Sequence, residues 1–491
     1  MKKLKITLLI CALFAFIFSA SCRQVVNLDA PRSYMTWNDY YSTEWVTIFE
    51  GFWTGMNTNY VFWDVDPTDW DLVYDTFKPR FKALGTVGDV DSDSTGESGD
   101  KVISYFREML KDIVDGHYQV QSDHIRNSTG YTMSIDPSYE RYARSFPDET
   151  ALSESEVYKE NPLNDDFIKS VKNLINTDYC SLVNIATGYN KTADGNAVLY
   201  FCFPGFNWSS YFWGFYNYFP DGVNDVRYKA IDEALDNYGG PSITVRQIVN
   251  ESSAYNNLLD YLYTTYRYTS LELRRPTWSS AVSYRCLIDH FYYFFDQLEN
   301  GQLEDGTPVV GGIVDIRGNG GGAVEDLSTL WGRIVPRDWV FAKTKYKSGE
   351  NRLDHTPLMD YTIFKAPGAR GVTDIPIALV VNKMSVSCSE MSALFFKSIP
   401  NGYVVGGTTW GGMGTLSGIS PLIHNAGTFS VSGGMIDLVY TPFTQVLTLQ
   451  GKSLEGKGIT PDYPVPFVYS NMVAGQDDRL QKAIEVILEN Q

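Results

Sequence analysis

Apolar residues Val102, Ile103, Phe106, Met109, Leu110, Ile113 and Val114 recur at helical spacing, which predicts an amphipathic helix. Gly116 supplies its stop, so His117 is expected just past a helix end. Ile377-Ala378-Leu379-Val380-Val381 follows a different rule. It is an unbroken apolar run, as in a strand covered on both faces, and Met391 to Ile399 after it reads as a helix. Ala197 to Phe203 and Val309 to Ile316 are further strands, and Ala281 to Leu298 is a helix leading into the second of them. Trp45, Phe49, Phe52 and Trp53 give the segment from Arg32 to Leu84 a helical, aromatic character. Val223 to Arg275 reads as mainly helical, and Asp477 to Leu488 as an amphipathic closing helix. Helix and strand alternating through glycine-rich turns predict an α/β fold. Residues 127–195 are polar and irregular. The aromatic run from Phe206 to Phe219 reads as core or lid packing, with a stacking surface for ligand as the alternative.

The first residues change the picture of where the chain works. Lys2, Lys3 and Lys5 precede an apolar run from Ile6 to Phe18, then Ser19-Ala20-Ser21-Cys22. This is the pattern of a secretory signal, too short to span a bilayer. The cysteine after small residues resembles a bacterial lipobox, with Cys22 as the lipidated first residue; cleavage to a soluble periplasmic protein is the alternative. The expected location is the bacterial cell envelope, with a lipid anchor in the membrane. Cleavage there would remove three lysines and no acid from a chain of net charge −18. Such an acidic surface excludes nucleic acid as a partner. With 491 residues the chain is long enough for two or three domains. Cys180, Cys202, Cys286 and Cys388 lack metal-ligand spacing. In the loop Gly88 to Asp100, Asp89, Asp91, Asp93 and Asp100 fall at calcium-loop offsets. Ser94 stands where the turn needs glycine, so a solvated loop is the better reading.

Four scattered segments carry candidate chemistry. In Ser385-Val386-Ser387-Cys388-Ser389-Glu390, a serine between strand and helix has an exposed hydroxyl, outward N–H groups and a helix N-terminus. Ser387 is the candidate nucleophile, against the plainer reading of a serine N-cap. Asp315 to Gly322 is a strand end rich in glycine, whose bare N–H groups make half of an oxyanion hole; the N–H of Cys388 makes the other half. Gly318, Gly320 and Ala323 also satisfy a loose dinucleotide fingerprint, which is weak alone and ill suited to an exported protein. Among the five histidines His117, His124, His290, His355 and His424, His290 reads as structural, and His355 and His424 sit in polar loops without a supporting pattern. His117 is the best-placed base. Glu455, flanked by Gly456, is a carboxylate that can orient an imidazole. No H-E-x-x-H or G-x-S-x-G signature occurs.

Together these segments resemble the C-terminal processing peptidases and the catalytic core of tricorn protease. Asp315 to Gly322 matches D-[LIV]-R-x-N-x-G-G, Ser385 to Glu390 matches S-x-S-x-S-E, Gly406 to Thr415 covers the G-T-x-G region, and Glu455 to Asp462 matches E-G-x-G-I-x-P-D. The resemblance implies a ClpP/crotonase-like α/β core and a serine endopeptidase acting on peptides or unfolded proteins through an acyl-enzyme, without a cofactor or metal. The serine–lysine variant of the family places its lysine twenty-five positions after the nucleophile, where this chain has Gly412. The tricorn-like variant takes its histidine from a D-G-H turn, here Asp115-Gly116-His117, and its acid late in the chain. The resemblance therefore implies a Ser387–His117–Glu455 triad with Gly321 and Cys388 as oxyanion donors. The implied organisation is signal 1–21, linker 22–34, a helical N-terminal domain 35–126, an intervening region 127–195 whose PDZ domain is absent or altered, and a core 196–491 with an insertion near 222–281. The rival reading is a catalytically inactive lipoprotein that binds peptide or lipid on the same fold.

Overall fold

The computed structural model describes residues 44–87, 97–180, 184–238, 244–249, 252–267, 269, 274–416, 427–431 and 435–491. Cys22 with the whole signal segment, the acidic residues 89–94 and His424 lie outside the described residues.

The strands, in chain order, are β1 (Gln119–Arg126), β2 (Thr132–Ile135), β3 (Asn176–Cys180), β4 (Ile185–Lys191), β5 (Ala197–Cys202), β6 (Val309–Asp315), β7 (Trp339–Tyr346), β8 (Met359–Ile363), β9 (Ile377–Val381), β10 (Gly402–Gly406), β11 (Phe429–Val431), β12 (Ile436–Tyr440), β13 (Thr444–Leu447) and β14 (Tyr463–Pro464). The main sheet runs β14-β10-β9-β6-β5-β4-β3. Its members β5, β6, β9, β10 and β14 are parallel; β4 pairs antiparallel with β5, and β3 antiparallel with β4. Every residue of β5 and β9 is buried, as expected for strands covered on both faces.

The alternation of side chains along those strands sorts them into two cores. Leu199, Phe201, Val314, Leu379 and Val381 face the helices Arg275–Asn300 and Cys388–Phe396, meeting Phe291, Phe294, Met391 and Phe395. Val198, Tyr200, Ile313, Ala378 and Val380 face the closing helix Asp478–Glu489 through Leu480, Ala483, Ile484 and Ile487. The result is a three-layer α/β core, the class expected from the sequence.

A second core lies at the N-terminal side. Helices Trp45–Asn59, Trp70–Lys82 and Glu97–Leu110 pack Ile48, Phe52, Trp70 and Phe106 against Val120 of β1 and Val439 of β12. The sheet here is β11-β12-β1-β2, so β11 and β12 complete a unit begun almost four hundred positions earlier. The helices Val226–Tyr238 and Ser252–Tyr266 form a third core around Trp278. Residues 127–195, expected to be irregular, contain four helices and three full strands.

Two helix boundaries differ from expectation, and both differences matter for the site. The helix before His117 ends at Leu110, not at Gly116. Ile113 still bonds back to Leu110, but the N–H of Val114 goes to the Asp66 carboxylate at 2.9 Å, and that side chain draws the backbone off the helical path. His117 therefore sits in the turn that enters β1. The helix after β9 begins at Cys388 instead of Met391, which makes Ser387 its N-cap.

Candidate active site

In open parallel sheets, sites form beyond the carboxyl ends of the strands. Here the ends of the neighbouring strands β6, β9 and β10 deliver three loops: the glycine turn after Asp315, the serine segment after Val381, and residues 407–416. No described helix is long and apolar enough to cross a membrane.

The three serines of the motif divide by their bonding. Ser385 Oγ donates to the Ile316 carbonyl at 2.9 Å, and Ser389 Oγ donates to the Asn319 carbonyl at 2.8 Å; both are buried. They tie the segment to the glycine turn. Ser387, between them, is half-exposed. Its backbone has φ 59° and ψ −118°, while the other two non-glycine residues with positive φ among those described are asparagines. A serine held there stores on the order of 1–3 kcal/mol of strain. The N–H of Ser387 donates to the Gly412 carbonyl at 2.9 Å.

The glycine turn is pressed against this serine. A Cβ at Gly321 would lie 2.6 Å from the Ser387 Cβ, and φ is 92° there, so no side chain is possible. Asn319 organises the turn: its side-chain amide donates to the Phe203 carbonyl at 2.9 Å, and its Oδ1 accepts the Gly321 N–H at 2.9 Å. Cys388 opens its helix, so its N–H has no acceptor within the helix. Its thiol donates to the Gly322 carbonyl at 3.2 Å, and burial pushes the thiol up to about 12. Of the two expected oxyanion donors, Cys388 offers a helix-end N–H, and Gly321 is bonded to Asn319.

Beneath the turn lies a buried ion cluster. Arg317 meets Asp315, Glu160 at 3.0 Å and Asp477 at 2.9 Å, and Arg479 meets Glu160 and Glu156. Breaking such a buried group by removing one partner costs about 3–5 kcal/mol.

His117 and Glu455 arrive from opposite ends of the chain. Glu455 Oε1 accepts the Gly116 N–H at 3.0 Å and Oε2 accepts the Met413 N–H at 3.0 Å. Asp115 accepts the His117 N–H at 2.8 Å through Oδ1 and the Thr441 hydroxyl at 2.8 Å through Oδ2. The Trp410 indole N–H donates to the Gly116 carbonyl at 3.1 Å. A ring nitrogen of His117 and carboxylate oxygens of Asp115 and Glu455 lie within 4.8 Å of one another. That set could ligate a metal, although both carboxylates already accept two donors each. His117 Nδ1 is buried without a hydrogen-bond partner among the described residues, and no hydrogen bond joins the ring to Ser387 or Glu455.

Burial sets the charge states. It holds His117 down at about 4, so the ring is a neutral base at pH 7. Burial, with repulsion from Asp115, pushes Glu455 well above the carboxylate range, and burial raises Asp115 to about 7.

The loop Thr409–Met413 joins these parts. It bonds Ser387 through the Gly412 carbonyl, the histidine turn through Trp410, and Glu455 through Met413. Glu390 holds it from below, accepting Gly411 N–H at 2.7 Å, Gly412 N–H at 2.6 Å and the Thr409 hydroxyl at 2.6 Å. A Cβ at Gly412 would lie 3.3 Å from His117 Nδ1. The predicted site residues Ser387, His117, Glu455, Gly321 and Cys388 thus converge on one place. Of the remaining histidines, His290 is buried against the Thr187 hydroxyl at 2.7 Å, His355 bonds the Val61 carbonyl at 2.9 Å, and His124 lies on β1 near Asp437. Sequence reasoning gave no role to Glu390, Trp410, Met413 or Asp115. Glu390 stood within the serine motif, and Asp115 within the histidine turn; Trp410 and Met413 act through contacts with distant segments.

Sequence comparison bears on exactly this region. Residues 289–465 match the model of peptidase family S41, and residues 41–92 match that of the tricorn protease C1 domain. The region that carries the serine is similar to peptidase family S41. The resemblance read from the four motifs is to the same kind of C-terminal processing and tricorn-like peptidase. No curated protein gives a significant match to the chain. A crystal structure of a candidate peptidase from Parabacteroides merdae superposes with a TM-score of 0.51 at 18% identity, over 90% of this chain and 96% of that one. The two share a fold. Mature CPAF is similar with a TM-score of 0.48 at 10% identity, over 91% of this chain and 98% of that one. The glycine turn, the serine segment and the Thr409–Met413 loop all lie within the matched residues 289–465, and Glu455 does too. His117 falls outside both matched segments.

Proposed function

We propose that the chain is a serine endopeptidase that hydrolyses peptide bonds of exported proteins or peptides through an acyl-enzyme, with Ser387, His117 and Glu455 as its triad. The observation that carries this reading is the loop Thr409–Met413, which bonds to the segments of all three residues at once. His117 takes the Ser387 proton as the hydroxyl attacks the scissile carbonyl. The imidazolium that results favours the ionised form of Glu455, which steadies it, and the proton passes to the leaving amine. The oxyanion is held by the N–H groups of Cys388 and Gly321, the latter exchanging its bond to Asn319 for one to the developing charge. Because the ring bonds neither Ser387 nor Glu455 in this structure, substrate must close the relay. Apo sites commonly tighten only when substrate binds. Cys22 would carry the lipid that anchors the enzyme at the cell envelope.

A peptide-library digest comparing wild type with Ser387→Ala tests this. Cleavage by the wild type alone is expected. Cleavage that survives the substitution contradicts the assignment, and a wild type that binds peptides without cutting them favours the inactive binding protein.

A further inference from the structure

The loop that gathers the site is a poor candidate to hold itself in place. Gly411 and Gly412 are adjacent, and glycine has the most backbone freedom to lose on ordering. Side chains cannot stiffen them. Gly411 has φ 97° and would bring a Cβ within 2.8 Å of the Gly456 backbone, and a Cβ at Gly412 would meet Gly116 and His117. The loop must therefore be gripped from outside.

Its N–H groups are gripped by Glu390. Its carbonyls are gripped by one cation: Lys383 Nζ donates to the Thr409 carbonyl at 3.0 Å and to the Trp410 carbonyl at 3.2 Å, and lies 5.5 Å from the Trp410 ring centre. Lys383 forms no ion pair among the described residues, so its charge is spent on two carbonyls and a π face. Anion below and cation above thus hold opposite polar groups of a single short loop. We propose that Lys383 is a positioning residue of the hydrolytic site, its ammonium clamping the loop Thr409–Met413 so that Ser387, His117 and Glu455 stay in register. This rests on the peptidase reading above.

The charged groups that act on the ammonium are Glu390 and Glu156, and Glu156 also pairs with Arg479. They favour the charged form, while burial, the larger effect, lowers its pKa below the ordinary lysine value. Activity is therefore lost as pH rises through that lowered pKa, where the ammonium gives up its proton. Arginine stays charged throughout.

The test uses the full-length protein and the variants Lys383→Met and Lys383→Arg. Peptide turnover is measured across alkaline pH, and amide hydrogen exchange is followed over residues 409–416. Lys383→Met should lower kcat roughly tenfold to a hundredfold, the scale of a small misplacement, with KM moved less than about threefold, and should speed exchange in that segment. Lys383→Arg should restore most of kcat and shift the alkaline limb to higher pH. An unchanged kcat in Lys383→Met, or an alkaline limb that stays put in Lys383→Arg, overturns the proposal. Hydrogen exchange separates this inference from the peptidase reading. If the wild type cuts no peptide, the peptidase reading fails, and an unaltered exchange rate in Lys383→Met overturns the clamp as well.

Discussion

Glu455 and Gly116 stand 339 positions apart, and the carboxylate of one accepts the backbone N–H of the other at 3.0 Å. Its second oxygen holds Met413 N–H, so one side chain ties the histidine turn to the loop Thr409–Met413. Glu455→Gln keeps one acceptor and turns an amide NH2 toward the other N–H. The buried donor left unbonded costs about 1–3 kcal/mol. We expect a lowered melting temperature and a kcat reduced about tenfold or more. A variant matching wild type in both would show that the tie has no role.

Gly411 and Gly412 should respond differently to alanine. Gly411→Ala forces a side chain into positive φ and against the Gly456 backbone, so it should destabilise the fold by more than about 1 kcal/mol. Gly412→Ala meets the Gly116 backbone at 3.2 Å and His117 Nδ1 at 3.3 Å, contacts looser than the 2.8 Å clash at Gly411 that a shift of the histidine turn by a few tenths of an ångström relieves. Its melting temperature should change little while turnover falls, because the base is displaced. Thermal melts paired with turnover separate the two outcomes.

The pH dependence follows from burial. His117 is held at about 4 and must be neutral to act, so the acid limb of kcat/KM should lie near pH 4 instead of near 6.5. Because this value is below that of the unfolded chain, the unfolded state takes the proton first, and the ring's contribution to stability is lost as pH falls from about 6.5 to about 4. Asp115 runs the other way. Raised to about 7, it binds its proton more tightly when folded, so its contribution falls as pH rises toward that value. Asp115→Asn should therefore gain stability relative to wild type at pH 8, and gain less at pH 5. Melting temperatures at the two pH values decide it; an equal difference at both would contradict the buried charge.

Strain at Ser387 gives a prediction in which function and stability part. Ser387→Gly should raise stability by about 1 kcal/mol or more, since glycine accepts φ 59° freely, while abolishing hydrolysis. Ser387→Ala should abolish hydrolysis without that gain. Denaturant titration of both variants checks the difference.

Much of the core was legible because its strands obey a simple rule. The all-apolar run Ile377 to Val381 can only be a strand covered on both faces or a buried helix, and the serine turn after it favours the strand. The glycine turn was legible from its glycines, and Ser387 from its place between an apolar strand and a helix, as the middle serine of its motif. The end of the helix before His117 was not legible. Its cause is the Asp66 carboxylate taking the Val114 N–H, a contact between residues 48 apart that no local pattern records. The gathering role of Thr409–Met413 was hidden for a similar reason, since Trp410 and Met413 act on Gly116 and Glu455, which lie far away in the chain. The strands and helices within 127–195 escaped because their polar residues serve caps and turns, as Asp136, Asp148 and Asn164 do at three helix starts.

The most direct measurement is covalent labelling of the purified protein by a fluorophosphonate, with the modified peptide located by mass spectrometry. The expected result is a single adduct on Ser387 that forms much more slowly in His117→Ala and not at all in Ser387→Ala. An adduct on another residue, or a wild-type Ser387 that never reacts although the protein is folded, would contradict the account.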